Sequence, residues 1–425
     1  MRQDLIDQAR AVLERNDRGS YTVPTHGLYP FQWNWDSALS ALGFAHFDEA
    51  RAWTEIETLM AHQWEDGMVP HIIFHQNDDG YFPGPDVWGT QRDVPTSGIT
   101  QPAVTGFAVR RIFDRASDRA MAERRARALL PRIHAWHQWF YRDRDPAGTG
   151  LVAILHPWES GRDNSVDWDD AFERVPTDGV GEFQRRDTSH ANPEHRPTDE
   201  QYKRYIWLVQ HFRSLGWDNA KLHDASPFQM VDPGFNAILI RSCSDVADLA
   251  DHLGEPEIAE QSRAFAAKGI AAMEKLWNVS LGQYSCYDRS TGKLIDSASI
   301  GGLLAAFCAI PSARAKAIAA RITTLANAAR FTVPSHDPTA PEFDGTRYWR
   351  GPVWLIVNYM ISDGMGEAGQ MSVRDRIRDD SIRLIEESGF AEYYDPKTAE
   401  PCGGGSFTWT AAMVIEILST QKEPA

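Results

Sequence analysis

The chain has 425 residues, 42% hydrophobic and 24% charged, with a formal net charge of −16 from 43 basic and 59 acidic side chains. This balance excludes a nucleic-acid binder, because phosphate recognition needs a basic surface, and no apolar run approaches the roughly 18 residues of a membrane span. Cys243, Cys286, Cys308 and Cys402 are widely separated and show no CxxC spacing, so neither a zinc ribbon nor a disulfide framework is predicted, and free thiols suit a reducing cytoplasm.

In chain order, apolar residues at Leu5, Ile6, Ala9, Val12 and Leu13 predict a helix over Gln3 to Arg15, ended by the turn chemistry of Asn16 to Gly19. The N-terminus carries no uninterrupted apolar core of a signal peptide. An irregular segment from Tyr21 to Asp36 holds Trp33 and Trp35 and opens into a helix predicted to run to about Gln63. Long aromatic loops on a helical scaffold are where binding sites usually sit, although Trp33 and Trp35 also read as packing residues and Asp36 as a helix cap.

Asp66-Gly-Met-Val-Pro-His71 leads into a long Gly/Pro/Asp loop, Asn77 to Pro95, carrying Tyr81 and Trp88, and this loop is a lid candidate. His71 and His75 stand at a metal-ligand spacing, but Pro70 and the following Ile-Ile-Phe read as extended, so no metal is assigned. No cofactor motif is read either. A helix is expected to start at Gln101-Pro102, and a strongly basic one to run from Arg119 to Tyr141. Further helices are predicted from Thr198 or Asp199, over Asp232 to Leu253, Pro256 to Asn278, Ser299 to Ile310, and Ser312 to Ala329. No strand-rich block interrupts them. About twelve helices joined by short turns pack most economically as a closed double ring, with the loops of one end forming the site.

Two carboxylates stand out. In Trp158-Glu-Ser-Gly-Arg-Asp-Asn-Ser165, burial beside Trp158 and a second negative charge would keep Asp163 protonated near neutrality, the profile of a general acid. The alternative is that Glu159, Arg162 and Asp163 form a structural ion network. Hydrolysis of a sugar acetal needs a second carboxylate, and Glu392, in the aromatic turn Phe390-Ala-Glu-Tyr-Tyr-Asp-Pro396 before a glycine run, is the candidate. An ion pair of Glu392 with Arg350, or Glu400 as the base, are the competing readings. Arg196 and Tyr202 are placed to meet an anionic group, or to form a surface ion pair and a buried ring. The 15 tryptophans suit a carbohydrate pocket, since rings offer flat apolar faces to pyranoses.

Taken together, Trp33-Asn-Trp-Asp36, Asp66 to His71, Glu159-Ser-Gly-Arg-Asp163, Arg196-Pro-Thr-Asp with Tyr202, Tyr348-Trp-Arg-Gly-Pro-Val-Trp354, Glu392-Tyr-Tyr-Asp395 and the glycine run ending in Ser406-Phe-Thr-Trp409 are specific. In this order they resemble glycoside hydrolase family 63, more narrowly its bacterial mannosylglycerate and glucosylglycerate hydrolases, with a distant likeness to trehalases. The resemblance implies an all-α fold, a single (α/α)6-barrel domain over 1–425, with loop insertions around 77–95 and 156–197. It also implies an inverting mechanism with Asp163 as general acid and Glu392 as general base, their carboxyls roughly 6.5–9.5 Å apart.

The same resemblance assigns Trp33, Asp36, Gln101, Trp349 and Trp354 to the glycosyl ring, with Tyr81 from the lid loop, and Arg196, Tyr202 and Tyr348 to a glycerate carboxylate. The partner is thus a small glycoside, without nucleic acid or membrane, and a homo-oligomer is left open. One departure stands at the end of the glycine run, where Ser406 and Phe407 replace an expected amide side chain; it keeps glucosylglycerol open as a substrate. A sugar epimerase and a non-catalytic carbohydrate-binding protein are the readings from other classes.

Overall fold

In the computed structural model, residues 2–187 and 192–420 are described. The loop insertion expected around 156–197 therefore has 188–191 outside the described residues. The chain is predominantly helical, with α1 at Arg2–Asn16, α2 at Asn34–Phe44, α3 at Glu49–Ala61, α4 at Thr105–Arg115 and α5 at Arg119–Trp139. After the central loops come α6 at Asp199–Ser214, α7 at Pro233–Leu253, α8 at Pro256–Met273, α9 at Ile300–Leu304 and α10 at Ser312–Leu325. The last three are α11 at Leu355–Glu367, α12 at Met371–Ser388 and α13 at Thr408–Thr420. Strands among the described residues are two residues long and form no closed sheet.

Burial separates two kinds of helix. On α1 only one stripe is buried, chiefly Leu5, Ala9, Val12 and Leu13, as its periodicity predicts. By contrast α2 is buried throughout, and α13 from Thr408 to Leu418, so these are interior elements. Helix α2 packs on α4, α4 on α7, α7 on α9, α9 on α11, α11 on α13, and α13 returns to α2. Five more long helices lie against these, α1 on α2 and α13, α3 on α2, α5 on α4 and α7, α8 on α7, and α12 on α11, whereas α10 packs on α12 and α6 on the short helix at Pro85–Trp88. Gly43 permits the close crossing of α2 and α13, since a Cβ there would stand 2.9 Å from Ala412.

Several boundaries differ from the sequence reading. The helix expected to reach Gln63 is two helices, because the Asp48 side chain accepts the Arg51 N–H at 3.0 Å and caps a fresh start. Gln101 and Pro102 lie before α4 rather than in it. The stretch predicted to end at Asn278 leaves the helix at Met273, and Trp277–Asn278 pairs with Gln283–Tyr284 instead. Helix α9 is short, and continues as a 3-10 turn over Ala305–Phe307. Thr198 does cap α6, in a reciprocal capping box with Gln201.

The interior helices begin at the end of the molecule that carries the motif-bearing loops and run away from it. At their far ends, Arg111 meets Asp363 at 2.9 Å and Arg241 meets Glu367 at 2.8 Å, tying α4 and α7 to α11. Glu416 of α13 is buried among His46 at 2.9 Å, Arg115 and the Tyr359 hydroxyl at 2.9 Å. Burial alone would raise its carboxyl, but His46 and Arg115 outweigh it and hold the group down to about 2. Glu416→Ala is therefore expected to cost about 3–5 kcal/mol in urea unfolding at neutral pH, because it leaves the partly buried Arg115 guanidinium and the Tyr359 hydroxyl without their buried partner. A depressed folded pKa means that the contribution is complete above the ordinary 4.5 and is lost as pH falls towards about 2, so the wild-type and variant stabilities should converge over that window.

Candidate active site

A cavity opens where the interior helices begin, and its wall includes both candidate carboxylates, Asp163 and Glu392. Trp33, Asp36, Tyr81, Gln101, Arg196, Tyr202 and Tyr348 line it as well, so most of the residues singled out in the sequence meet in one place. They arrive from segments spread along most of the chain.

Asp163 follows a 3-10 turn, Pro157–Ser160, which stops at Gly161 in the left-handed region at φ 70°. A Cβ at Gly161 would lie 2.5 Å from the Trp35 ring, so both the turn and the close approach require glycine. The neighbouring charges point elsewhere. Glu159 pairs with Arg144 at 3.0 Å and accepts the Leu155 N–H at 2.8 Å. Arg162 is clamped between Asp167 and Asp232, both at 2.9 Å, and Asp232 is the N-cap of α7. Glu159, Arg162 and Asp163 thus do not form the alternative ion network: Glu159 and Arg162 sit in separate ion pairs with other partners, and neither set includes Asp163.

The Asp163 carbonyl accepts from Trp168 Nε1 and the Tyr205 hydroxyl, each at 2.9 Å, which fixes the backbone while the carboxyl faces the cavity. Burial pushes that carboxyl up to about 7, against the opposing charge of Arg196, with Glu392 and Asp187 adding to the rise. A carboxylic acid in this state holds its proton near neutrality and releases it to a developing alkoxide.

Glu392 is held on all sides. Its N–H donates to the Gly404 carbonyl at 2.8 Å, and Gly404 N–H returns a bond to Glu392 Oε2 at 2.9 Å. Gly403, at φ 72°, has to be glycine here, since a Cβ would fall 2.2 Å from Oε2. The other oxygen accepts from the Tyr29 hydroxyl at 3.1 Å and from Tyr348 at 3.4 Å, and Arg196 Nη1 stands 3.7 Å from Oε2. Burial raises the Glu392 carboxyl, while Arg196, the Gly404 N–H and the two tyrosines restrain the rise. Arg350 is bound to Asp169 at 2.8 Å rather than to Glu392, and Glu400 sits exposed in its turn.

Within the aromatic part of the wall, Gln101 Oε1 accepts the Trp35 N–H at 3.2 Å and so orients the first turn of α2. Asp36, in that turn, lies in the cavity with its carboxyl raised well above the usual range by burial and by Glu392. Trp349 and Trp354 are placed differently from the sequence reading. They stack at 3.9 Å and 3° on one another, and Trp354 stacks again on Tyr393, so they form a layer behind the wall. The stack takes up both faces of Trp354 and one face of Trp349. Trp35, Trp158, Phe407 and Trp409 occupy the wall instead.

At the other side of the cavity, Arg196 lies 4.0 Å over the Tyr348 ring, donates from Nη2 to the Tyr29 oxygen at 2.8 Å and from Nε to Asp187 at 3.1 Å. Its Nη1 is buried with no hydrogen-bond partner. Tyr202 shares the wall, but its hydroxyl donates to the Phe82 carbonyl at 3.2 Å and its ring lies under Arg185. Phe82 belongs to the lid-candidate loop, which also stacks on Phe183 at 5.2 Å and joins Arg186 through Asp78. His71 lines the cavity against Trp158, kept neutral by burial, while His75 bonds Gln32 at 2.7 Å outside it. Tyr29 and Asp187 were not singled out in the sequence. Tyr29 lies in the aromatic loop that signalled the site, whereas nothing marks Asp187 among the charges of its loop.

Comparison with known proteins agrees with this arrangement. A family profile described as the mannosylglycerate hydrolase MGH1-like glycoside hydrolase domain matches residues 29–410. Mannosylglycerate hydrolase MGH1 of Selaginella moellendorffii is 45% identical, over 98% of this chain and 86% of its own. The glucosylglycerate hydrolase of Mycolicibacterium hassiacum is 33% identical, over 97% of each chain. The crystal structure of the GH63 mannosylglycerate hydrolase from Thermus thermophilus, in complex with Tris and D-glycerate, superposes with a TM-score of 0.94 at 45% identity, covering 98% of this chain and 100% of that one. With a profile that takes in both candidate carboxylates and the loops holding them, the chain belongs to the MGH1-like glycoside hydrolases of family GH63.

Proposed function

We propose that this glycoside hydrolase cleaves a small α-glycoside, glucosylglycerate or mannosylglycerate, into the free sugar and glycerate with inversion at the anomeric carbon. Asp163 protonates the glycosidic oxygen as the bond to the sugar breaks, and Glu392 takes a proton from the water that attacks the opposite face. The observation that carries this reading is the contrast between two buried carboxyls in one cavity. Asp163 is pushed up to about 7 and keeps a proton to give, whereas Glu392 is wrapped by hydrogen-bond donors that favour its charged form.

Asp36 accepts from sugar hydroxyls, and the Trp33, Trp35 and Trp158 rings supply apolar faces. The substrate carboxylate docks on Arg196, whose buried, unpartnered Nη1 is the cation an acidic protein needs for an anionic ligand. Relatives named for mannosylglycerate and glucosylglycerate support the substrate class. The return of helix packing from α13 to α2 supports one (α/α)6 barrel spanning the chain as a single domain. Four buried, unbridged cysteines support a cytoplasmic enzyme.

A second acceptor, glycerol, is favoured by one observation. Phe407 brings a ring, not an amide, to the cavity wall, and Ser406 accepts from Arg15 at 3.3 Å outside it, so this corner supplies no side-chain amide for an acid.

Proton NMR on fresh incubations decides the reaction: early β-anomer released from glucosylglycerate or mannosylglycerate is expected, and early α-anomer refutes inversion. Asp163→Asn is expected to lower kcat by about 10²–10⁴-fold with little change in glycoside binding. Because the proton must still be on Asp163, kcat/KM is expected to fall as pH rises through about 7.

A further inference from the structure

The proposed anion clamp and the proposed general base are not separate devices. Arg196 has three outward commitments, with Nε on Asp187, Nη2 on the Tyr29 oxygen and its flat face on Tyr348, which leaves Nη1 buried and without a hydrogen bond. The same Nη1 is 3.7 Å from Glu392 Oε2. The Tyr29 hydroxyl accepts from the guanidinium at 2.8 Å and donates onward to Glu392 Oε1 at 3.1 Å. One hydroxyl therefore joins a buried cation to the carboxylate that must deprotonate water.

We infer that Tyr29 is a positioning residue that couples the two: filling the clamp with the carboxylate of the leaving group strengthens Glu392 as a base. The inference rests on the proposed roles of Arg196 and Glu392. In the empty site the guanidinium stabilises charged Glu392 in two ways, through space and through a tyrosine whose O–H it polarises. An anion at Nη1 shares that positive charge and adds a negative one nearby. Both changes weaken the stabilisation of the Glu392 anion, so it binds a proton more avidly at the moment the substrate is in place.

Of the other groups around Glu392, Asp163 is itself restrained by Arg196, so an anion at the clamp raises it too and moves the alkaline limb, while the rest respond alike to both aglycones. Asp36 and Asp163 face it across the cavity, Tyr348 donates from beside the clamp, and Tyr393 and Cys402 stand on the paired strands behind it. Asp187 is already neutralised by Arg185 at 2.7 Å and by Arg196. A sugar joined to a neutral alcohol therefore meets the same pocket, but with the base still held weak by an unshared guanidinium. On this account the acid group of the aglycone acts in kcat as well as in KM.

The test compares glucosylglycerate with glucosylglycerol over a range of pH, in wild type and in Tyr29→Phe. With glucosylglycerate the acidic limb of kcat, which reports the loaded enzyme, should lie about half a unit or more above that of kcat/KM, which reports the free enzyme. With glucosylglycerol the two limbs should coincide. Tyr29→Phe should shrink the separation and lower kcat about tenfold, with KM changing less. An equal separation for both aglycones, or a Tyr29→Phe effect confined to KM, overturns the coupling.

Calorimetry of D-glycerate alone in buffers of different ionisation enthalpy supplies a readout that needs no turnover. Measured in an Asp163→Asn background, which removes that carboxyl's own uptake, proton uptake on binding is expected, abolished by adding Glu392→Gln and reduced by adding Tyr29→Phe; absent or proton-neutral binding overturns the inference. Failure to hydrolyse either glucoside while proton-coupled glycerate binding persists would instead remove the proposed substrate and leave the coupling supported.

Discussion

A guanidinium buried beside carboxyls is the constraint on which the site depends. Arg196 sits in a cavity whose wall also holds Asp36, Asp163, Asp187 and Glu392, and a cation so placed is stable only if its charge is met. Asp187 and Glu392 meet part of it, the Tyr29 oxygen takes one N–H, and the Tyr348 ring covers its face. In return the cation keeps Glu392 from rising as far as burial alone would take it, while Asp163 still climbs to about 7. Two carboxyls of similar intrinsic strength are thus held differently by one asymmetric charge.

The scaffold sustains this arrangement by putting rigid elements behind each carboxyl. The turn bearing Asp163 is pinned by the ion pairs of Arg162 to Asp167 and to Asp232, the residue that caps α7. The strand next to Glu392 is locked to the glycine run by a reciprocal pair of bonds between Glu392 and Gly404. Asp36 rides in the first turn of a helix buried on every side. Ion pairs at the opposite end, around the buried Glu416 and from Arg241 to the exposed Glu367, tie the packing where the interior helices finish. Motif residues that the sequence places with the chemistry, such as Glu159, Arg162, Trp349 and Trp354, support it from one layer back.

The lid-candidate loop belongs to the same system. Phe82 accepts from Tyr202 and stacks on Phe183, Asp78 holds Arg186, and Tyr81 reaches the cavity. The wall at the clamp is therefore built from segments that lie far apart in the chain yet lean on one another.

The sequence by itself determined the helical class, because apolar residues recur with helical period and glycine, proline and capping residues punctuate them. It also marked Asp163 and Glu392, since an acidic residue surrounded by aromatics and next to obligatory glycines is a local signal. Side-chain direction is not local. Whether Trp354 faces the sugar or Tyr393, whether Glu159 joins Asp163 or Arg144, and that Tyr29 would bridge Arg196 to Glu392 across a separation of 363 positions were decided only when the helices packed and brought distant loops to one end.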